Sequence, residues 1–155
     1  MEIIMFSKKC LRAVNRALKL MEEECPVYND NPALTSPHES KEYWRLKLGN
    51  RKNEQFDILF LNNQNKPIAH ETLFKGTVDC ASVYPRVIIQ KILEHNAASV
   101  ILGHNHPSGN TDPSIQDKHV TKKIIEACKT IDVSVLDHII VGEGTLSFAE
   151  HGLMN

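Results

Sequence analysis

Cysteine is sparse and poorly placed for chemistry. Cys10, Cys25, Cys80 and Cys128 lie far apart, and no C-x-x-C pair exists to frame a zinc knuckle or a thioredoxin-like motif. Free thiols fit a reducing cytosol. Long apolar runs are missing as well: no stretch reaches the roughly 18 residues a membrane span requires. The opening "MEIIMFSKKCLR" carries Glu2 and too short an apolar run for a secretory signal. Neither sign of charge dominates. Lys plus Arg total 18 against 19 for Asp plus Glu, a net charge of -1, so no global field draws the chain to nucleic acid or to an anionic membrane. DNA binding would need a local basic patch. Repeats and low-complexity tracts are absent. A cytoplasmic, soluble protein without a membrane partner is expected.

What is present fits one domain. A chain of 155 residues can bury a core without staples. Leu11, Val14, Leu18 and Met21 recur at helical spacing, so residues 8–24 read as an amphipathic helix. The run "CPVYNDNPALTSP" then breaks it. This divides the chain into an N-terminal helical arm and linker, 1–34, and a main domain, 35–155. Ser36, Pro37 and Glu39 form a capping box with proline at the first helical position, predicting a helix over "PHESKEYWRLKL" up to Gly49. Tyr43 and Trp44 are read as packing on its face.

"EQFDILFLN" and "PIAHETLF", joined by "NQNK", read as a β-hairpin. Pro85 opens a second helix of this domain, with Ile88, Ile89, Ile92 and Leu93 as its apolar face. "AASVILG" is a nearly continuous apolar run, the mark of a central strand covered on both faces. Val120, Ile124 and Ala127 or Cys128 mark another helix, and "DVSVLDHIIVG" and "TLSFA" two last strands. That order of elements predicts an α/β fold, a mixed sheet with helices packed on it.

Where the central strand gives way to a helix, residues 104–117 read "HNHPSGNTDPSIQD". Side chains alternate along an extended segment, so His104 and His106 point the same way and can share an ion. Pro107 keeps His106 out of helical dihedrals. "SGNTDPS" supplies a turn, after which Asp117, in the first turn of a helix, is placed to be a third ligand. Two imidazoles and a carboxylate leave a fourth position for water, as in a catalytic zinc site. A hydrolase also needs a carboxylate outside the metal shell to move the water's proton. Glu54, Glu71 and Glu94 are all candidates, Glu94 being most simply a solvated helix residue. Taken alone, S-x-x-D at Ser114 and Asp117 is a helix N-terminus signal without chemistry. His138 reads equally as a residue steadying a ligand and as a structural histidine. His70, beside Glu71 but on the other side of its strand, reads as packing or surface.

The spacing H-x-H, seven residues, S-x-x-D matches the JAMM signature, and its wording resembles the RadC-like branch of the JAB/MPN superfamily. "HETLFKGTVDCASVYPR", "VLDHIIVG" and "SFAEHGLM" resemble that branch too, covering roughly residues 35–154. The resemblance implies a three-layer, cytidine-deaminase-like α/β/α fold and zinc-dependent cleavage of a peptide or isopeptide bond in a protein or peptide substrate. By position it assigns zinc to His104, His106 and Asp117. It puts Glu71 in the place of the family's upstream glutamate, as general base and then acid, and Ser114 as donor to the oxyanion. Longer RadC-like proteins carry an N-terminal helix-hairpin-helix region. Only about 35 residues precede the matched region here, with no glycine-containing hairpin, so DNA binding is not inherited through that module.

The alternative from another class is a non-hydrolytic metal-binding scaffold in DNA repair or mobile-element biology. A non-haem iron oxygenase would order its ligands differently. A deaminase would need the missing H-x-E and P-C-x-x-C.

Overall fold

The computed structural model describes residues 16, 33–34, 36–76 and 84–154. The expected helix over 8–24, Arg16 apart, and the linker as far as residue 32 lie outside them. The chain divides into units Met1–Asn31 and Pro32–Asn155, and every element below belongs to the second.

Helix α1, Pro37–Leu48, starts as its capping box dictates: Ser36 Oγ accepts from the Glu39 N–H while Glu39 reaches back to the Ser36 N–H. Strands β1 (Gln55–Leu61) and β2 (Pro67–Lys75) form the expected antiparallel hairpin. Helix α2 (Pro85–His95) leads into β3 (Ser99–Asn105), helix α3 (Ile115–Lys129), β4 (Ser134–Val141) and β5 (Thr145–Ser147). The sheet order is β2-β1-β3-β4-β5. All pairs are antiparallel except β3 with β4, which α3 connects as a crossover.

Apolar residues of opposite parity leave the sheet on opposite faces. Phe56, Ile58, Phe60, Val100 and Leu102 pack with Ile88 and Ile92 of α2 and Val120, Ile124 and Cys128 of α3. Leu59, Leu61, Ile101, Ile139 and Val141 pack with Trp44 and Leu48 of α1. The result is a mixed sheet between helices, a three-layer α/β/α architecture. Strand β3 is buried along its whole length, as the unbroken apolar run predicted. One expected core residue is misplaced: Leu93 is exposed, because Ile88 and Ile92, one turn apart, already fill the contact of α2 with the sheet.

Gly103 explains how closely α1 approaches the strand that carries the histidines. A Cβ there would lie 2.4 Å from the Trp44 indole ring, so glycine is the residue that lets tryptophan lie against β3. Among the described residues, no helix is long and apolar enough to cross a membrane.

Candidate metal centre

Strand β3 ends at Asn105, but the His106 N–H still donates to the Val141 carbonyl at 2.8 Å, so extended geometry continues through both histidines. Their side chains therefore emerge on one side, with Nε2 atoms 2.8 Å apart. The chain then turns back. Gly109 takes φ +87°, its N–H bonds the His106 carbonyl, and Asn110 Oδ1 accepts from the Asp112 N–H. Gly142 lies so close to this turn that a Cβ on it would sit 2.3 Å from the Gly109 carbonyl oxygen. The β4–β5 connection thus braces the turn.

Ser114 caps α3, accepting from the Asp117 N–H at 3.1 Å and donating its hydroxyl to Asp117 Oδ2 at 2.6 Å. The cap aims Asp117 at the histidines: Oδ1 is 3.2 Å from His104 Nε2 and Oδ2 3.5 Å from His106 Nε2. His104 and Asp117 are buried, and His106 is half-buried. Burial pushes the Asp117 carboxyl up, but the hydrogen bonds of His104 and His106 and the charge of His104, with help from Ser114, hold it well below the usual carboxylate range. Asp117 in turn raises the His106 pKa, against the effect of burial.

The Asn110 carbonyl can only accept, so the 2.7 Å contact to His106 Nδ1 places a proton on that nitrogen. A neutral His106 therefore presents Nε2 as a lone pair, and this lone pair faces a second imidazole and a carboxylate. Such a set calls for a cation. Ligands sharing one tetrahedral zinc through bonds of 2.0–2.1 Å are about 3.3 Å apart, close to the separations of 2.8, 3.2 and 3.5 Å found here. The residues fit the ion.

Glu71 is not brought to this cluster. It stands opposite Ile58 on the edge strand β2, two strand spacings, roughly 10 Å, from β3. There its carboxylate accepts from His95 and pairs with Lys91 at 3.3 Å, and the His95 bond, followed by Lys91, lowers its pKa despite some burial. The glutamate that joins the histidines is Glu54. Glu54, His104 and His106 each bring one ligand atom within 4.8 Å of the others, a His/His/Glu cluster able to coordinate a metal ion. The register explains it: Phe56 pairs with His104, and two further residues along each antiparallel strand set Glu54 opposite His106. Glu94, the third candidate, is exposed and bonded to Gln90 and Lys91.

Asn105 escaped notice in the sequence because it sits between the ligands and points away from them. Its Oδ1 accepts from the Gln55 N–H at 2.9 Å, and its Nδ2 donates to the carbonyls of Arg51 and Asn53. It thereby holds the segment that carries Glu54. His138 is buried against His104, their ring nitrogens 2.8 Å apart; burial first, then the charge of His104, push its pKa well below the ordinary value. His70 packs away from the centre, bonded to Tyr43 and Asp57. A cleft of about 340 Å³ opens beside His106, between Arg51, Asn105 and Pro107 on one side and Gly142 and Glu143 on the other.

Comparison with known proteins gives the family. A family model described as RadC-like JAB domain matches residues 34–153. The chain is 44% identical over 144 residues to the UPF0758 protein YkfG of Escherichia coli, covering 92% of this chain and 90% of that one. It is 50% identical over 125 residues to a UPF0758 protein of Vibrio cholerae, covering 81% and 80%. It is also 50% identical over 121 residues to the UPF0758 protein VP0184 of Vibrio parahaemolyticus, of which it spans only 54%. With an H-x-H strand end, a capped Asp117 and an α/β/α sheet all inside the matched region, the chain belongs to the RadC-like JAB domain family.

Proposed function

We propose that this protein is a zinc-dependent hydrolase of JAMM type that cleaves a peptide or isopeptide bond, with His104, His106 and Asp117 holding the ion and Glu54 as the proton carrier. The observation that carries it is the convergence of two Nε2 atoms, the buried Asp117 carboxylate and Glu54 beside an open cleft. Bound zinc lowers the pKa of water from about 15.7 toward roughly 7 and polarises a carbonyl oxygen.

Glu54 takes a proton from the attacking water as the C–O bond forms, then delivers it to the leaving nitrogen as the C–N bond breaks, a contribution of about 10²–10⁴-fold. Glu54 takes this role in place of Glu71, which is occupied with His95 and Lys91. Ser114 supplies a hydroxyl to the oxyanion, worth about 3–4 kcal/mol. In this structure that proton rests on Asp117, so the role requires the hydroxyl hydrogen to rotate about Cβ–Oγ. A protein or peptide enters through the cleft beside His106. A cytoplasmic site of action suits the unpaired thiol of Cys128.

Metal analysis of the purified protein is the first test. Stoichiometric zinc that is lost in His104→Ala and Asp117→Ala is expected; unchanged zinc in both would sink the site. Glu54→Gln should keep its zinc and lose cleavage of a quenched-fluorescence peptide library by at least 100-fold, whereas Glu71→Gln should stay within a few-fold of the parent. Loss of zinc in Glu54→Gln would make Glu54 a ligand instead. Zinc binding without cleavage of any peptide or isopeptide would favour the scaffold.

A further inference from the structure

Behind His104 runs a buried chain of hydrogen bonds that the proposed chemistry does not use. His104 Nδ1 is 2.8 Å from His138 Nε2, His138 Nδ1 is 2.6 Å from Thr121 Oγ1, and Thr121 Oγ1 is 2.6 Å from the Asp117 carbonyl oxygen. His104, His138 and Thr121 are each at most 1% exposed. Phe56 and Phe148 close round the His138 ring. Each link is a direct contact between buried atoms, so the protons of the chain can be counted.

The count starts at the backbone. A carbonyl oxygen only accepts, so Thr121 must spend its single hydroxyl proton on Asp117. Thr121 Oγ1 can then only accept from His138, which puts the proton on His138 Nδ1. The other nitrogen of a neutral, buried His138 is a lone pair, because a second proton would leave a charge with no carboxylate partner in the chain. His138 Nε2 therefore accepts, and His104 Nδ1 carries the donated proton. A neutral His104 ring holds only that proton, so its Nε2 is a lone pair.

We propose that Thr121 and His138 are positioning residues that lock His104 in its Nδ1–H tautomer, so that Nε2 faces the metal site as a lone pair. The chain begins at one ligand and ends on the backbone of another, Asp117, through a helical i to i−4 bond of α3. It thus sets the spacing of β3 and α3 as well as the tautomer. Partners of this kind commonly hold metal-binding histidines, and losing one costs about 10–100-fold in metal affinity.

The tautomer can be read without metal, so this inference stands or falls separately from the zinc chemistry on which its affinity arm rests. Two-bond ¹H–¹⁵N spectra of the full chain in chelator at pH 8 should show His104 and His138 both protonated at Nδ1. A proton on His138 Nε2 would overturn the proposal. For affinity, Thr121→Val removes the acceptor while keeping the shape. It frees His138 to protonate Nε2 and drives His104 toward an Nε2–H ring that cannot ligate. Zinc affinity, measured by competition with a chromophoric chelator, should fall about 10–100-fold, and Thr121→Ser should restore it to within about threefold. His138→Gln keeps an acceptor for His104 and should weaken zinc less than His138→Leu. Parental affinity in both Thr121→Val and His138→Leu would overturn the proposal, and so would equal losses in Thr121→Ser and Thr121→Val. Absence of zinc from the parent protein would instead refute the hydrolase reading and leave the tautomer result to decide this one.

Discussion

Asn105 shows how much a single side chain between two ligands can organise. It is 3% exposed and satisfies two backbone carbonyls and one N–H of residues 51–55. Removing it leaves the buried Gln55 N–H without its partner, at about 1–3 kcal/mol. Asn105→Ala should therefore lose at least about 1–3 kcal/mol in urea unfolding and lower cleavage while zinc content stays at parental level, because the ligands are untouched and Glu54 is not. Unchanged stability together with unchanged cleavage would show that the segment is held by other means. The same residue marks a limit of reading by pattern. The period-two alternation that identified His104 and His106 as neighbours assigned Asn105 to the opposite side, and alternation says nothing of what waits there.

At the level of elements, the helix starts were legible because their signals are local. Ser36 with Glu39 and Ser114 with Asp117 make both bonds of a capping box, and each involves residues three apart. For α3 the cap and the candidate ligand are one device: the serine that starts the helix also orients Asp117. Strand β3 was legible from its apolar run, yet the reason for its glycine was not. Gly103→Ala would push a methyl group into the Trp44 ring at 2.4 Å. Such overpacking costs typically about 1–3 kcal/mol. Since Gly103 adjoins His104, the variant should lose both stability, by urea unfolding, and zinc affinity. A variant as stable as the parent would mean that α1 shifts freely over the sheet.

For the whole molecule, the proposed site would couple ion binding to folding, because His104, His106 and Asp117 come from β3, its end and α3 and meet only in the folded chain. Zinc at 100 times its dissociation constant should raise stability by about 2.7 kcal/mol, and His104→Ala should abolish the gain. The gain should also depend on pH. His106 has a raised pKa beside Asp117, so in the metal-free protein protonated His106 stabilises the fold below the ordinary histidine pKa of about 6.5. That contribution is lost as pH rises through the raised value. Zinc replaces this proton, so the zinc-induced rise in unfolding midpoint should be larger at pH 8 than at pH 6. An equal or larger rise at pH 6 would argue against His106 as a ligand.

The amino-acid sequence by itself determined the described helices and strands, the mixed α/β class and the closeness of His104, His106 and Asp117, because caps, turns, alternation and a fourteen-residue motif all act over short chain distances. Choosing Glu54 over Glu71 took the sheet. Both glutamates flank or occupy the same hairpin, and only the pairing of β1 with β3, with β2 pushed to the edge, decides which one meets the histidines. The alignment of Thr121 and His138 behind His104 was likewise decided in three dimensions. Those residues come from a helix and a strand brought together by a parallel crossover, and strand order is a long-range choice that no local pattern encodes.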